Sequence, residues 1–411
     1  MAEKVRSVEI RKVLDSRGNA TVEVEVSTRG ARARVAAPSG ASTGATEVKA
    51  FPEGGAGAAL SVFRRKAVPK LLGRDVEDQE GFDEALERAD GTDSFAGIGG
   101  NPAVAASLAC ARCAAQALGL PLWAYLSHRR KPERWPGPQG NLIGGGAHAV
   151  GGTDIQEYLA FTRGAPPSKS VFANAVAHRL VKEDLKAMFP GAPLGRGDEG
   201  AWIAPTTNDR AMQVLTRCLK KASEETGLDV APALDFAASE FFRNEKYHYK
   251  DRSLTPAEQV DYVEMLVEAH GIVSVEDPFA QDDFGSFAEL TRRVGARCMV
   301  VGDDIFTTNA LRLERGIREG AGNAVLIKPN QIGTLTGTRR AVDLARSHGW
   351  ATVTSHRSGE TTDDTIAHLA VAFGSVGIKT GAVGGERVAK LNELIRIEEG
   401  LAKGAPRKGR S

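Results

Sequence analysis

The sequence is poor in cysteine, with four residues in a chain of 411. Two of them, Cys110 and Cys113, form a CxxC pair, but this pair lies within an alanine-rich helical pattern at residues 103–115. Two small apolar side chains on one helix face explain the pair better than redox or zinc chemistry does. No second cysteine–histidine pair completes a zinc site. We therefore interpret these cysteines as packing residues.

The chain also lacks excess charge and long apolar segments. Its 53 basic and 52 acidic residues give a net charge of +1, which excludes a strong overall attraction to nucleic acid or to a membrane. No signal peptide and no apolar span long enough for a membrane helix is visible, so we expect a cytoplasmic protein. The only basic run lies near the C-terminus, where we expect a flexible solvated tail at residues 401–411.

Periodicity divides the chain into two parts. The 42% of hydrophobic residues suffice for a large core, and the length suits two or three domains or one barrel with an appendage. Residues 5–37 have the alternation of strands, and residues 57–126 are mainly helical. The proline-rich stretch 131–138 breaks both periodicities. We therefore predict one domain over residues 1–130 and a second over residues 139–400.

After residue 139 the pattern becomes strand, short loop and helix, repeated. The clearest helix start is the capping box Thr255-Pro-Ala-Glu258. Five apolar runs each end in a polar or ionisable residue, namely Asp235, Glu276, Asp303, Lys328 and His356. This rhythm is typical of parallel βα units, and a (β/α)8 barrel builds its site at the C-termini of its strands. A doubly wound open sheet is the alternative, but no G-x-G-x-x-G turn follows an early strand.

Lys328 occupies an unusual position. The apolar run Ala324-Val-Leu-Ile leads straight into it, and Pro329 disfavours an ordinary helix through this stretch. Burying an unpaired ammonium costs several kcal/mol or more. Lys328 therefore either extends its ammonium to solvent at the strand end or is placed there to exchange a proton.

Asp235, Glu276 and Asp303 follow three such strands, so the mouth of one barrel can gather all three. Facing carboxylates repel each other and stay partly protonated unless a cation lies among them. Oxygen ligands without cysteine or histidine favour Mg²⁺ over zinc or copper. Any one of the three can instead be a helix cap or a surface ion pair, and we interpret Asp304 as a cap or a supporting residue.

Further candidates surround this set. Lys379 follows a short apolar element into a glycine loop, and His356-Arg-Ser358 offers a planar cation and a hydroxyl suited to phosphate or carboxylate. Glu157 and Glu199 are candidates for acid–base work, or merely a strand-end acid and a turn acid. A metal-held substrate, a lysine base and a carboxylic acid together suggest proton abstraction beside a carboxylate, followed by loss of a β-leaving group.

With these residues in place, the chain resembles the enolase family, the phosphopyruvate hydratases. The resemblance runs over nearly the whole length, from Asp15-Ser-Arg-Gly-Asn19 and Ser39-Gly-Ala-Ser-Thr-Gly44 to Arg396-Ile-Glu-Glu399. Its most specific motifs are Ser274-Val-Glu-Asp-Pro-Phe279, Lys328-Pro-Asn-Gln-Ile-Gly-Thr334 and Ser355-His-Arg-Ser-Gly-Glu-Thr361. The resemblance implies an N-terminal α+β domain before an enolase-type (β/α)8 barrel of atypical form. It also implies a homodimer with Glu23–Arg396 and Arg11–Glu398 as pairs between subunits.

The resemblance implies a role for each candidate. Lys328 would be the base that removes the C2 proton of a phosphorylated glycerate, and Glu199, supported by Glu157, the acid that protonates the departing 3-hydroxyl. Asp235, Glu276 and Asp303 would bind one Mg²⁺, and Ser42 would help to hold a second. The residues implied to line the substrate are His148, Gln156, His356, Arg357, Ser358 and Lys379.

Several family positions are altered. Thr46 stands where the family has histidine, Ala147 where it has serine, and Pro329 where it has an apolar residue. An arginine of the family is missing from the stretch 48–52, the turn 200–205 is one residue longer, and the segment 381–387 is one residue shorter.

These changes leave three hypotheses. The first is dehydration of 2-phosphoglycerate. The second is the same elimination on a bulkier, phosphonate-bearing glycerate, as in carboxyphosphonoenolpyruvate synthases, with poor turnover of 2-phosphoglycerate. The third is a catalytically silent binding or structural protein, against which the intact acid, base and metal ligands argue.

Overall fold

The computed structural model describes residues 3–40, 44–149 and 151–403, with His148 described by its backbone alone. Ser42 and most of the expected C-terminal tail, residues 404–411, lie outside the described residues. Within the described part, no helix combines the length and apolar character needed to cross a membrane.

The N-terminal part is a small antiparallel sheet covered by helices. Its strands pair in the order β1 (Ser7–Leu14), β2 (Ala20–Ser27) and β3 (Arg32–Ala36). Five helices follow: α1 (Gly55–Lys66), α2 (Val68–Leu71), α3 (Gln79–Asp90), α4 (Gly100–Ala117) and α5 (Leu122–Leu126). Helix α4 packs on β2 and β3 through its alanines, and Cys110 and Cys113 are buried in it as free thiols. The interpretation of these cysteines as packing residues is confirmed.

The remainder of the chain contains thirteen described strands and nine described helices. The strands are β4 (Gly137–Gly144), β5 (Glu157–Thr162), β6 (Gly195–Arg196), β7 (Trp202–Ile203), β8 (Val230–Asp235), β9 (Phe242–Arg243), β10 (Lys246–His248), β11 (Ser253–Leu254), β12 (Ser274–Glu276), β13 (Met299–Gly302), β14 (Ala324–Ile327), β15 (Ala351–Ser355) and β16 (Gly377–Lys379). The helices are α6 (Pro167–Met188), α7 (Asn208–Thr226), α8 (Pro256–His270), α9 (Phe284–Val294), α10 (Ala310–Glu319), α11 (Pro329–Ile332), α12 (Leu335–Ser347), α13 (Thr365–Ala372) and α14 (Gly385–Ala402).

Eight of these strands close into a barrel. They pair in the order β4, β5, β8, β12, β13, β14, β15 and β16, and β16 pairs with β4 to complete the ring. Closure excludes the doubly wound open sheet. Helix α8 begins at the predicted capping box, with Thr255 and Glu258 satisfying each other's backbone groups. Strand β4 begins at Gly137, two residues before the predicted start of the second domain.

One barrel strand runs against the others. Strand β5 is antiparallel to both β4 and β8, whereas the other neighbouring pairs of the barrel are parallel. Its first residue, Glu157, is therefore paired with Asp235, the last residue of β8. Because of this reversal, a residue at the start of a strand lies at the same rim as the ends of the parallel strands.

The N-terminal part contacts the barrel near this rim. Ser39 forms a β-bridge with Gly359, and the Ser16 backbone N–H donates to the Glu360 carbonyl at 2.7 Å. Farther from the rim, Asp83 accepts from the backbone N–H of Thr336 at 2.9 Å. The contacts of Ser16 and Ser39 hold this part of the N-terminal region beside the segment that carries His356 and Arg357.

Candidate active site

Strand ends position the acidic residues that the sequence predicts as metal ligands. Asp235 and Glu276 end the neighbouring strands β8 and β12, and the ladder pairs them directly. Asp303 follows the end of β13. All three are at least nine-tenths buried, so the barrel holds their carboxylates away from bulk water.

Lys379, the last residue of β16, lies among these acids. Its ammonium donates to Asp235 Oδ2 at 2.7 Å and to both Glu276 oxygens at 3.0 Å, and it lies 3.3 Å from Glu157 Oε1. Burial disfavours its charged form, but Asp235 and the neighbouring acids more than offset this, so the pKa of Lys379 is well above its ordinary value. The cluster is thus built around a positive charge.

Lys328 is paired with Asp303. Its ammonium donates to Asp303 Oδ2, while the Gln331 amide donates to Asp303 Oδ1 at 2.9 Å. Only 13% of the Lys328 side chain is exposed. This partial burial by itself lowers its pKa, but the Asp303 charge raises the pKa above its ordinary value. Solvent exposure at the strand end, one of the two interpretations of this lysine, is therefore wrong. Pro329 begins the short helix α11, because proline at the first helical position loses no hydrogen bond.

Asp277 is a supporting residue that the sequence reasoning missed. It has a φ of +41°, and its two oxygens accept from the backbone N–H groups of Asp303 and Asp304 at 2.9 and 2.8 Å. Oxygens of these three acids lie within 4.8 Å of one another. Burial and the charge of Asp303 raise the pKa of Asp304 to about 7. Asp277 thus shapes the turn that presents Asp303.

These donors fit a hard divalent cation. Asp235, Glu276 and Asp303 offer carboxylate oxygens, which Mg²⁺ prefers, and the ammonium groups of Lys379 and Lys328 lie against these oxygens. Burial, together with the charge of Asp235, raises the pKa of Glu276 well above its ordinary value. Carboxylates that repel in this way accept a cation readily, as the sequence predicts for this rim.

Glu199 lies on the other side of the site, in the turn between β6 and β7. His356 Nε2 is 3.2 Å from Glu199 Oε1, and both side chains are buried. Burial lowers the pKa of His356 to about 4, although Glu199 opposes this, so the imidazole is neutral at physiological pH. The site therefore combines a charged lysine pair with a carboxyl group beside a neutral histidine.

Arg357 has a partner that the sequence reasoning also missed. Its guanidinium donates to both oxygens of Glu47 at 3.0 and 3.1 Å and to Asn330 Oδ1 at 3.1 Å. Glu47 lies in an irregular loop of the N-terminal part, where no periodicity indicates a partner. Gln156 is near Asp235, with its amide nitrogen 3.5 Å from Asp235 Oδ2.

The predicted residues converge on one cavity. Its lining includes Gln156, Glu157, Glu199, Asp235, Asp303, Lys328, His356, Arg357, Ser358 and Lys379. Glu276 adjoins it through Lys379. The side chain of His148 and all of Ser42 lie outside the described residues.

The altered positions lie elsewhere. Within the described part of the chain, the cavity lining includes none of Thr46, Ala147, Trp202 and Gly384. The hydroxyl of Thr46 is 2.6 Å from that of Thr307, and the indole of Trp202 packs between Lys182 and Arg196. None of these four residues therefore contributes to the described lining, where room for a bulkier phosphorus group would be needed.

Comparison with known proteins places the chain in a family. The Enolase N-terminal domain matches residues 5–126, and the Enolase C-terminal TIM barrel domain matches residues 133–411. A protein of Natronomonas pharaonis named Enolase is 50% identical over 397 residues, covering 96% of this chain and 98% of its own length. Proteins of the same name from Thermoplasma acidophilum and Methanothermobacter thermautotrophicus are 45% and 47% identical, each over at least 96% of both chains.

The chain belongs to the enolase family. It is a hydro-lyase of the enolase type, and such identity over the full length supports dehydration of 2-phosphoglycerate. The comparisons do not favour the phosphonate-bearing substrate or the silent protein. Enolase membership implies a phosphorylated carboxylic acid as substrate and dependence on Mg²⁺.

Proposed function

We propose that this enolase dehydrates 2-phosphoglycerate to phosphoenolpyruvate with Lys328 as the base and Glu199 as the acid. The observation that carries the assignment is that both residues line one buried cavity, with the Lys379 cluster in the same lining. A lysine base combined with stabilisation of an enediolate is the pattern of the enolase superfamily.

The reaction divides into two proton transfers. Lys328 takes the proton from C2, and the electron pair left on C2 moves into the substrate carboxylate. The Lys379 ammonium stabilises the charge that develops there, as a fixed cation in a water-poor site can. Glu199 then gives a proton to the 3-hydroxyl, which leaves as water while the C2–C3 double bond forms. Glu157, close to Lys379, supports the acid side.

Asp235, Glu276 and Asp303 are the proposed ligands of one Mg²⁺, and Ser42 of a second. When bound, Mg²⁺ supplies charge for the substrate carboxylate and neutralises Asp303, which favours the uncharged amine of Lys328. We propose that His148, Gln156, His356, Arg357 and Ser358 orient the substrate. The phosphate then shares Arg357 with Glu47, because the guanidinium has five donors.

We also propose a cytoplasmic homodimer. A groove of about 920 Å³ is lined by charged and apolar side chains that include Glu23 and Arg396, one of the pairs implied between subunits. Light scattering should give a molar mass near twice the 43.6 kDa of the chain. A monomeric mass in active enzyme would contradict the dimer.

The metal assignment is tested by turnover of 2-phosphoglycerate. Treatment with excess chelator should abolish activity, and added Mg²⁺ should restore it. Glu276→Gln should lose most of the activity and need more Mg²⁺, because one anionic ligand is gone. Glu289→Gln removes a carboxylate from helix α9 outside the barrel and should behave as the parent. Undiminished turnover in chelator would overturn the assignment.

A further inference from the structure

Arg387 is a fully buried cation that the reaction scheme leaves without a role. It lies in the first turn of α14, and 0% of its surface is exposed. Its Nη1 donates to His356 Nδ1 at 2.8 Å and to the Arg357 carbonyl at 2.6 Å. Its Nη2 donates to the carbonyls of Ser358 at 2.7 Å and Asp198 at 3.1 Å.

This arrangement fixes the tautomer of His356. The nitrogens of a guanidinium are donors only and cannot accept a hydrogen bond. His356 Nδ1 must therefore be the acceptor, and in the neutral ring the proton is on Nε2. Nε2 is the nitrogen 3.2 Å from Glu199 Oε1, so Arg387 determines which atom faces the acid.

The same guanidinium joins two segments of the site. It binds the carbonyl before Glu199 and the carbonyls of residues 357 and 358. The packing around it is tight, because a Cβ at Gly381 would lie 3.0 Å from the Glu199 carbonyl oxygen and 3.1 Å from Arg387 Cγ. Arg387 and the turn that carries Glu199 are therefore packed closely on either side of Gly381.

We propose that Arg387 is a positioning residue for the acid half of the reaction. It holds His356 with its proton on Nε2 and sets the distance between that ring and Glu199. The proposal rests on the proposed role of Glu199 as the acid. It goes beyond that role because it states that Arg387, which is not part of the described cavity lining, controls the position of Glu199 relative to His356.

Lys390 provides a matched control. It is a buried cation one turn farther along α14, and it contacts Glu360 and the carbonyls of Thr361 and Glu386. Among the described contacts, none joins it to residues 198–199 or to the His356 ring. A merely structural role for Arg387 would make variants at both positions behave alike.

The kinetic test compares C2-proton exchange with elimination. Arg387→Lys keeps the charge, but one ammonium cannot reproduce the planar fork. We expect elimination to fall at least tenfold, with exchange within threefold of the parent. In Lys390→Met the two rates should change in parallel. A parallel fall of both rates in Arg387→Lys, matching Lys390→Met, would overturn the proposal.

The tautomer is measured directly by nitrogen-15 NMR of the parent enzyme, so the measurement itself does not depend on a variant at Arg387. The chain has eight histidines, and His356→Gln assigns the signal. We expect an unprotonated Nδ1 and a protonated Nε2 at neutral pH. A proton on Nδ1 would overturn the inference and leave the proposed function standing. Full elimination activity in Glu199→Gln would instead refute the proposed acid without altering the NMR result.

Discussion

The two halves of the active site are held in different ways. On the base side, Lys328 and Asp303 directly follow core strands of the barrel, and backbone ladders fix their positions. On the acid side, Glu199 lies in a turn between two strands of two residues each, which meet the barrel at the single pair Ile143 and Trp202. A backbone ladder sets the first position, whereas side chains from other elements must set the second.

The acid turn depends on a few such contacts. His178 Nε2 donates a hydrogen bond to the Gly200 carbonyl at 2.8 Å, and the Trp202 indole donates to the His178 carbonyl at 3.0 Å. Gly200 has a φ of +79°, and a Cβ there would lie 2.5 Å from the Val383 carbonyl oxygen. The position of this turn is therefore set by side-chain contacts and close packing, and not by a backbone ladder. We expect distant substitutions to affect elimination more than proton abstraction.

The largest effect should come from the base side. Lys328→Ala should abolish C2-proton exchange and elimination together, because no other group is assigned to take that proton. The loss should exceed the roughly 10²–10⁴-fold typical of general acid–base assistance. Exchange is measured by loss of deuterium from C2-labelled substrate, and a melting curve verifies that the variant folds. Exchange at the parental rate in a folded variant would refute the assignment of the base.

An intermediate effect should come from the acid itself. Glu199→Gln should lower elimination by about 10²–10⁴-fold while C2-proton exchange remains measurable, because the acid acts after the proton has left. Both rates are measured on the same preparation. Equal losses of the two rates would show that proton abstraction also depends on Glu199, and would contradict the division of the site into a base side and an acid side.

The smallest effect should come from a support of the acid turn. Trp202→Leu removes contacts with Lys182 and Arg196, each worth about 0.5–1 kcal/mol at exposed sites. We expect a lower melting temperature and a fall in elimination of less than about tenfold, with exchange unchanged. Trp123→Leu, a buried tryptophan in α5 of the N-terminal part, is the control and should lower stability without separating the rates. If elimination fell without a change in exchange in Trp123→Leu as well, the effect would not be specific to the acid turn.

The base side could largely be predicted from residues alone. Apolar runs that end in Asp235, Glu276 and Lys328 indicate strand ends, and parallel strand ends meet at one rim. Glu199 was a candidate for acid–base work from its turn alone, but its role as the acid, and His148 altogether, came from the family resemblance, because a turn acid or a loop histidine has no periodic signal. Glu47, Asp277 and Arg387 were missed altogether. Each acts through pairs that only the folded chain brings together, as in the contact of Glu47 with Arg357 across 310 positions.

The reversed strand β5 has a consequence for how the barrel assembles. Parallel neighbours need a crossover connection, which is usually a helix, whereas only twelve residues separate the end of β4 at Gly144 from the start of β5 at Glu157. The entropy lost on closing a loop grows with its length, so this hairpin can pair before the crossovers are complete. It already carries Glu157 at its turn end. The part of the active site that contains Glu157 therefore forms on the strand pair β4–β5, whose strands are closer in sequence than the other neighbouring strands of the barrel.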